Sequence, residues 1–283
     1  MVKMPRTSQI EIFPLAKTAV HWGNALDWLR RLGVTTPATY LNVMKENATD
    51  AEALVMLAGR RCYMSFQPGL NPNVERVRAD YTDYIDNILK SGHGSVIEHS
   101  DQTFAIEGVS RVFTGEMNRH RAGWAISEGS MRYIRFDEIR FWMPDSLQHD
   151  LSADQNSDIE NRKELSQLLF RKAFKQMEEN YAEFMRIWDM DEGHPSFSYK
   201  KRITSAARRI VGMGVATGGL WTGNLRAVRH VLDLRCDDQA AEEEIFHVFR
   251  LIGDYMIEAE PRLFGDFKKD EKTGAWNAGY RKV

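Results

Sequence analysis

A chain of 283 residues with 38 Lys and Arg against 40 Asp and Glu carries a formal charge of −2. Proteins that hold nucleic acid usually show a basic excess to neutralise phosphates, so this balance argues against such a partner while leaving room for a local basic pocket. At 43% hydrophobic and 28% charged residues the chain can bury a real core. No apolar run approaches the ~20 residues of a membrane helix. The cysteines Cys62 and Cys236 lack CxxC spacing and read as free thiols of a reducing compartment. The basic stretch 1–6 is not followed by an apolar segment with a cleavage site, so a cytoplasmic enzyme is expected.

Residues 1–48 show weak periodicity and read as an N-terminal extension packed on a catalytic domain of residues 49–283. Thr49-Asp50 is a good cap for a first helix carrying Ala53, Leu54, Met56 and Leu57. Pro68-Gly69 and Asn71-Pro72-Asn73 mark a loop. Val77, Tyr81, Tyr84, Ile85, Ile88 and Leu89 then share one face of a second helix, ended by Gly92. A Gly-rich turn with Ser95 as a cap follows, then alternation over 102–108 that predicts a strand. Ser110 can cap a helix with Val112, Phe113 and Met117, which delivers Arg119-His120-Arg121 at its end. Residues 132–143 are rich in aromatic and β-branched types and predict a strand broken at Asp137-Glu138. The polar segment 145–161 predicts a surface loop. A long helix is expected over 158–188, where Phe170, Phe174, Met177, Tyr181, Phe184 and Trp188 form one stripe for core or subunit packing. Another is expected over 199–211, an extended Gly-rich segment over 212–223, and a last helix from Asp237-Asp238 to Pro261. The pattern is α+β: a single helix-rich domain with a modest, mainly antiparallel sheet.

Four stretches carry more polar chemistry than a core or a solvated face requires. The densest is 119–133, where Arg119, His120, Arg121, Glu128, Ser130 and Arg132 fall within fifteen residues and alternate with Gly and Ala. Buried charges need partners, and small residues let a backbone approach something closely. Guanidinium forks suit phosphate, Ser and Gly supply short donors, and a carboxylate accepts from a base or ribose. Glu116 lies one turn before His120 and can pair with it. The segment 93–99 holds His93, Ser95, Glu98 and His99 without a metal-ligand spacing, so no metal is expected. Arg208 and Arg209 end a helix. Over 222–235, Asn224 can cap a helix on which Arg226 and His230 share a face, and Arg235 follows.

These stretches, in this order, resemble the flavin-dependent thymidylate synthases. That family carries Arg-His-Arg, a spacer, then Glu-x-Ser-x-Arg-Tyr, matched by 119–121 and by Glu128-Gly129-Ser130-Met131-Arg132-Tyr133, with a spacer one residue longer here. It also carries His-x-(Ser/Thr)-x-x-Glu-His, matched at 93–99, Arg-Ile-Val, matched at 209–211, and Thr-Gly-Asn-x-Arg-Ala-x-Arg-His, matched at 222–230. The resemblance spans roughly 51–267. It implies an FAD-dependent methyltransferase that methylates dUMP at C5 to dTMP, with methylenetetrahydrofolate as carbon donor, reduced FAD as hydride source and NADPH as reductant, in a homotetramer. His93, Ser95, Arg119, His120, Arg121, Ala122, Glu128, Asn224, Arg226 and His230 would hold flavin. Glu116, Arg119, Glu128, Gly129, Ser130, Met131, Arg132, Arg209 and Arg235 would hold the nucleotide, with Arg235 catalytic beside the pyrimidine. Two other readings stay open: a hydroxymethylase, if water rather than hydride meets the one-carbon intermediate, and a flavin or nucleotide binder without turnover.

Overall fold

Helices dominate, and one small sheet threads through the sequence between them. The computed structural model describes residues 6–148, 157–190, 196–237 and 239–283. Strands β1 (Glu11–Lys17), β2 (Asp101–Ser110), β3 (Trp124–Glu128) and β4 (Ala216–Asn224) form a sheet in the order β1-β2-β4-β3. Its neighbours run antiparallel. Thr18 N donates to Asp101 O while Ser8 Oγ donates to Gly108 O, and Asn224 N donates to Gly123 O while Gly129 N donates to Gly218 O. A two-residue pair, β5 (Lys268–Lys269) and β6 (Trp276–Asn277), is also antiparallel. The architecture is therefore α+β. Its described residues fall into two compact units, one of 6–13, 105–119, 126–148, 157–190 and 196–220, the other of 14–104, 120–125, 221–237 and 239–283.

The first unit holds α5 (Arg111–Met117), α6 (Ser157–Ile187) and α7 (Phe197–Ala207). Ser110 Oγ accepts from Val112 N and so starts α5, as its hydroxyl predicts. The aromatic stripe of α6 makes the core here. Phe174 and Tyr181 are buried with Met185, Ile203 and Val215, and Phe174 stacks on Phe141 at 4.3 Å. Trp188, at the end of the stripe, is 40% exposed. The strand expected over 132–143 does not form. Residues 131–133 turn, with Tyr133 N and Ile134 N both donating to Ser130 O, and Phe141 makes only single-residue bridges to Thr7 and Val215. The aromatic and β-branched residues that suggested a strand are nonetheless core residues, with Ile139, Phe141, Trp142 and Met143 all buried. Of the segment expected to be a loop over 145–161, residues 145–147 form a 3-10 turn and α6 begins at Ser157; residues 149–156 lie outside the described set.

The second unit holds α1 (Trp22–Arg31), α2 (Pro37–Asn47), α3 (Asp50–Tyr63), α4 (Tyr81–Ser91), α8 (Leu225–Arg235), α9 (Glu243–Ala259) and the short α10 (Pro261–Phe264). Thr49 caps α3 in a reciprocal box with Glu52. Asp80 caps α4, which therefore starts four residues later than Val77 suggests, and Gly92 ends it with φ +73°. The last long helix begins at Glu243, not at Asp237. Asp237 instead turns its carboxylate onto the amides of Gln239 and Ala240, a local bond that competes with helix, while Glu242 caps α9; Asp238 lies outside the described residues.

Buried ionisable groups in this unit meet polar partners. Arg229, on the inner side of α8, is 1% exposed and bonds Asp266 through both terminal nitrogens, at 2.6 and 2.9 Å, with its guanidinium against the Phe264 and Phe267 rings. Glu52 is fully buried and meets Arg262 at 2.7 Å. Glu260, 1% exposed, accepts a short hydrogen bond from the Thr49 hydroxyl. Burial pushes its carboxyl up to about 7, and the Glu52 charge adds to this against the Thr49 bond. The unfolded carboxyl titrates near ~4.3. Between these values the folded chain holds a proton that the unfolded chain has lost, so this group's contribution to stability falls as pH rises from ~4.3 to about 7 and then levels. A Glu260→Gln variant removes the penalty. Relative to wild type it should gain about 2 kcal/mol between pH 5 and pH 8 in urea unfolding; a difference that stays constant with pH would refute the assignment.

Candidate functional site

Two clusters of polar side chains stand out, one in each unit. In the first unit a cavity of about 500 Å³ is lined by Arg111, Glu128, Gly129, Ser130, Arg208 and Arg209, with Met131 beside them. Its volume lies in the range of small-molecule sites. Three elements build it: Arg111 opens α5, Glu128 ends β3, and Arg208 and Arg209 follow the last turn of α7. The segment 124–128, part of the spacer in the arginine motif, is thus a strand, with Trp124, Ile126 and Glu128 half-buried in alternation with exposed neighbours.

Arg111 organises the cavity. It lies 2.9 Å from Glu128 Oε2, an ionic contact without an aligned hydrogen bond, and donates a short hydrogen bond from Nη2 to Gly129 O. Both partners of the ion pair are largely shielded, at 17% and 29% exposure, which strengthens it over a surface pair. Gly129 N–H donates to Gly218 O and its carbonyl accepts from Arg111. Its value is space, because a Cβ there would stand 3.1 Å from Thr217 Oγ1. The Ser130 hydroxyl accepts weakly from Arg132 N at 3.4 Å. Arg208 and Arg209 are exposed, with Arg209 Nη1 donating to Ser205 O. A larger cavity of about 900 Å³ in the same unit shares Arg111, Glu128, Gly129 and Met131 and continues past Glu107 and Glu138.

Among the sequence candidates, Glu128, Gly129, Ser130, Met131 and Arg209 come together here. Glu116, Arg119 and Arg132 do not line the cavity. Arg119 meets Glu116 at 3.7 Å, and the Arg132 guanidinium lies 6.0 Å from the Tyr133 ring. Arg111 was not singled out by sequence. The available signal was Glu128 itself, a carboxylate on a half-buried strand face that needs a cation.

In the second unit the N-terminus of α8, a 3-10 helix over Gly94–His99 and the turn at 121–123 meet. Asn224 Oδ1 accepts from Ala227 N, capping α8, and its amide packs so closely on Gly123 that a Cβ there would be 2.5 Å away. Arg226 lies across Gly94, where a Cβ would be 2.5 Å from its Nε, and pairs with Glu98 at 2.5 Å. His230 stands exposed one turn along α8. Leu225 N donates to Ser100 O, tying the helix to the end of the 3-10 turn. Ser95 is exposed and caps nothing, because the residue at the cap position is His93, which has no side-chain cap bond. Arg121 and Ala122 are exposed beside His120. At the far end of α8, Arg235 Nε donates to His120 Nε2 at 2.9 Å. Cys236, next in sequence, is 1% exposed and accepts from Trp276 N; burial pushes its thiol up to about 11, so it stays protonated at neutral pH.

The donors of this second cluster are guanidinium, imidazole, amide and hydroxyl, most of them reachable from solvent. That chemistry fits a dinucleotide cofactor with a pyrophosphate and a polar ring system. No group of three or more His, Cys, Asp or Glu among the described residues is arranged for a metal ion, and no helix among them is long and apolar enough to cross a membrane.

Comparison with known proteins gives these clusters a context. A family described as "Thymidylate synthase complementing protein" matches residues 43–262. The flavin-dependent thymidylate synthase of Corynebacterium diphtheriae is 31% identical, over 83% of this chain and 86% of its own. That of Corynebacterium aurimucosum is 28% identical over 93% of both chains. A probable flavin-dependent thymidylate synthase of Mycobacterium phage D29 is 34% identical, over 78% of this chain and 85% of its own. Among solved structures, the UMP/dUMP methylase PolB from Streptomyces cacaoi, bound with 5-Br UMP, superposes with a TM-score of 0.62 over 93% of this chain and 95% of that one, at 17% identity, a likeness of fold. With the family matched over most of its length, the chain belongs to the thymidylate synthase complementing protein family, that of the flavin-dependent thymidylate synthases.

Proposed function

We propose that the chain methylates dUMP at C5 to dTMP, taking the carbon from methylenetetrahydrofolate, with FAD as its flavin and NADPH as the source of electrons. The cavity with Arg111, Arg208 and Arg209 around Glu128 and Ser130 supports this most. Exposed guanidinium groups at 208 and 209 suit a phosphate near charge ~−2, and the fixed Glu128 carboxylate with the Ser130 hydroxyl suits the polar edge of a nucleoside. Arg111 lies 2.9 Å from Glu128 Oε2 and balances its charge.

His93, Ser95, Arg121, Asn224, Arg226 and His230 would hold the flavin, with His120 and Ala122 beside them. Reduced flavin, when bound, supplies the hydride that turns the transferred one-carbon unit into a methyl group. The protein's own task is to make C5 of uracil nucleophilic. A thiolate added at C6 is one solution, but the Cys236 thiol is sealed and its pKa is raised. The other is to stabilise an electron-rich, N3-deprotonated ring with a fixed cation, the role we give Arg235. Its Nε–H donates to His120 Nε2.

The reading extends to a homotetramer in the cytoplasm. Leu165, Leu168 and Leu169 on α6 are 57%, 43% and 66% exposed, an apolar patch suited to a neighbouring copy. The two cysteines are unpaired, as a reducing compartment keeps them.

Purified protein should show the visible absorption of bound flavin and, given NADPH, methylenetetrahydrofolate and dUMP, release a product with the mass of dTMP. A hydroxymethyl product would select the hydroxymethylase instead, and a colourless protein that takes up no FAD would end the proposal. Arg209→Ala should raise KM for dUMP about tenfold or more, as expected for a lost charge-assisted contact. Arg235→Ala should lower kcat about 100-fold while the flavin spectrum persists; full turnover in that variant would remove Arg235 from the chemistry.

A further inference from the structure

Arg235 is the last residue of α8, and the last turn of a helix frays unless something outside the helix holds it. Burial does not secure this turn all round, since Leu234 is 49% exposed. Residues 276–281 grip it instead, just before and just after Arg235. Before it, Asp233 Oδ1 accepts from Ala278 N at 3.2 Å and lies 3.7 Å from Arg281 Nε. After it, Cys236 Sγ accepts from Trp276 N at 3.3 Å. Arg235 thus stands between two anchored residues, with its own Nε–H on His120.

The stretch that grips has its own supports. Strands β5 and β6 pair Lys268 with Asn277 and Lys269 with Trp276. The turn between them closes on Asp270, whose carboxylate accepts from Lys272 N and Thr273 N at 2.8 and 3.0 Å. Asp270 N donates to Ala275 O, and Gly274 N donates to Asp270 O, both at 2.8 Å. The Trp276 indole then fixes this hairpin to α9. It lies so close to Gly253 that a Cβ there would overlap the ring. Its Nε1 donates to Asp254 Oδ1 at 3.1 Å. Lys269 Nζ lies 5.3 Å from the centre of the same ring and meets the same carboxylate at 2.5 Å.

We infer that Trp276 is a positioning residue for Arg235: it fixes the β5–β6 hairpin on α9, and the hairpin fixes the turn of α8 from which Arg235 would reach the pyrimidine. The inference rests on the role proposed for Arg235. A displacement of ~1 Å near a reacting centre can cost about 100-fold in rate. An Arg235 that is loosened but still present should cost less, about tenfold.

The test is a double-mutant cycle on the flavin-loaded full chain. Trp276→Ala should lower kcat about tenfold while KM for dUMP and flavin content stay near wild type. Trp276→Phe, which keeps a ring on Gly253, should recover most of the loss. In the Arg235→Ala background the same Trp276→Ala change should cost less than about twofold, because the residue it positions is gone. Equal losses in both backgrounds would make Trp276 a general stabiliser and overturn the inference, as would full kcat in Trp276→Ala. Should Trp276→Ala not fold, Cys236→Ala, which removes the sulfur acceptor and leaves the indole in place, carries the same cycle with the same readings. Hydrogen exchange judges the clasp without any turnover: the amides of Leu234, Arg235 and Cys236 should exchange about tenfold faster or more in the Trp276 variant. Unchanged protection overturns the inference. A wild type that makes no dTMP would defeat the proposed function instead, and the exchange rates would still decide whether the hairpin holds this turn.

Discussion

A guanidinium removed from water must be given acceptors, and this requirement sorts the arginines of the chain. Arg60 and Arg229, each 1% exposed, spend their donors on carbonyls and, for Arg229, on the Asp266 carboxylate. Arg111 is half-way: it pairs with Glu128 yet still faces a cavity. Arg121, Arg208 and Arg209 are left at the surface, where water can satisfy the donors that the protein does not. The near-neutral overall charge is therefore compatible with locally cationic clusters, because the charges of the chain are unevenly distributed over it.

The same sorting explains how much of the site was legible in the sequence. Asn224 as a helix cap and Ser110 as another could be read directly, because capping is a local event fixed by neighbouring residues. Gly92 at the end of α4 was legible for the same reason. Arg229 and Arg226 stand three apart on one helix and differ in no local property, yet one is sealed against Asp266 and the other meets Glu98 near solvent. Only contacts distant in sequence distinguish them. Arg111 escaped notice because its partner lies across the fold and its own neighbourhood, just after a cap, is unremarkable.

Where the reading of the fold went astray, long-range pairing was also the cause. The aromatic and β-branched content of 132–143 is that of a strand and Ile139, Phe141, Trp142 and Met143 are buried, but only Phe141 finds bridging partners, so the segment packs without a ladder. Conversely, β3 lay hidden within a stretch so polar and glycine-rich that its motif residues outweighed its Trp124 and Ile126. The acids at 237 and 242 look alike as helix starters; Asp237 closes a small turn and Glu242 opens α9, a choice settled by which following residues are buried against the unit.

Helix α8 shows what this division of labour allows. Its inner side is moored by Arg229 to Asp266 and to the Phe264 and Phe267 rings, none of which owes anything to a ligand. The outward row at Arg226 and His230 is thus set in place beforehand, and little of a guest's binding energy is consumed in ordering its host. Such a scaffold tolerates vacancy: a flavin held there as proposed could depart and be replaced without the helix losing its form.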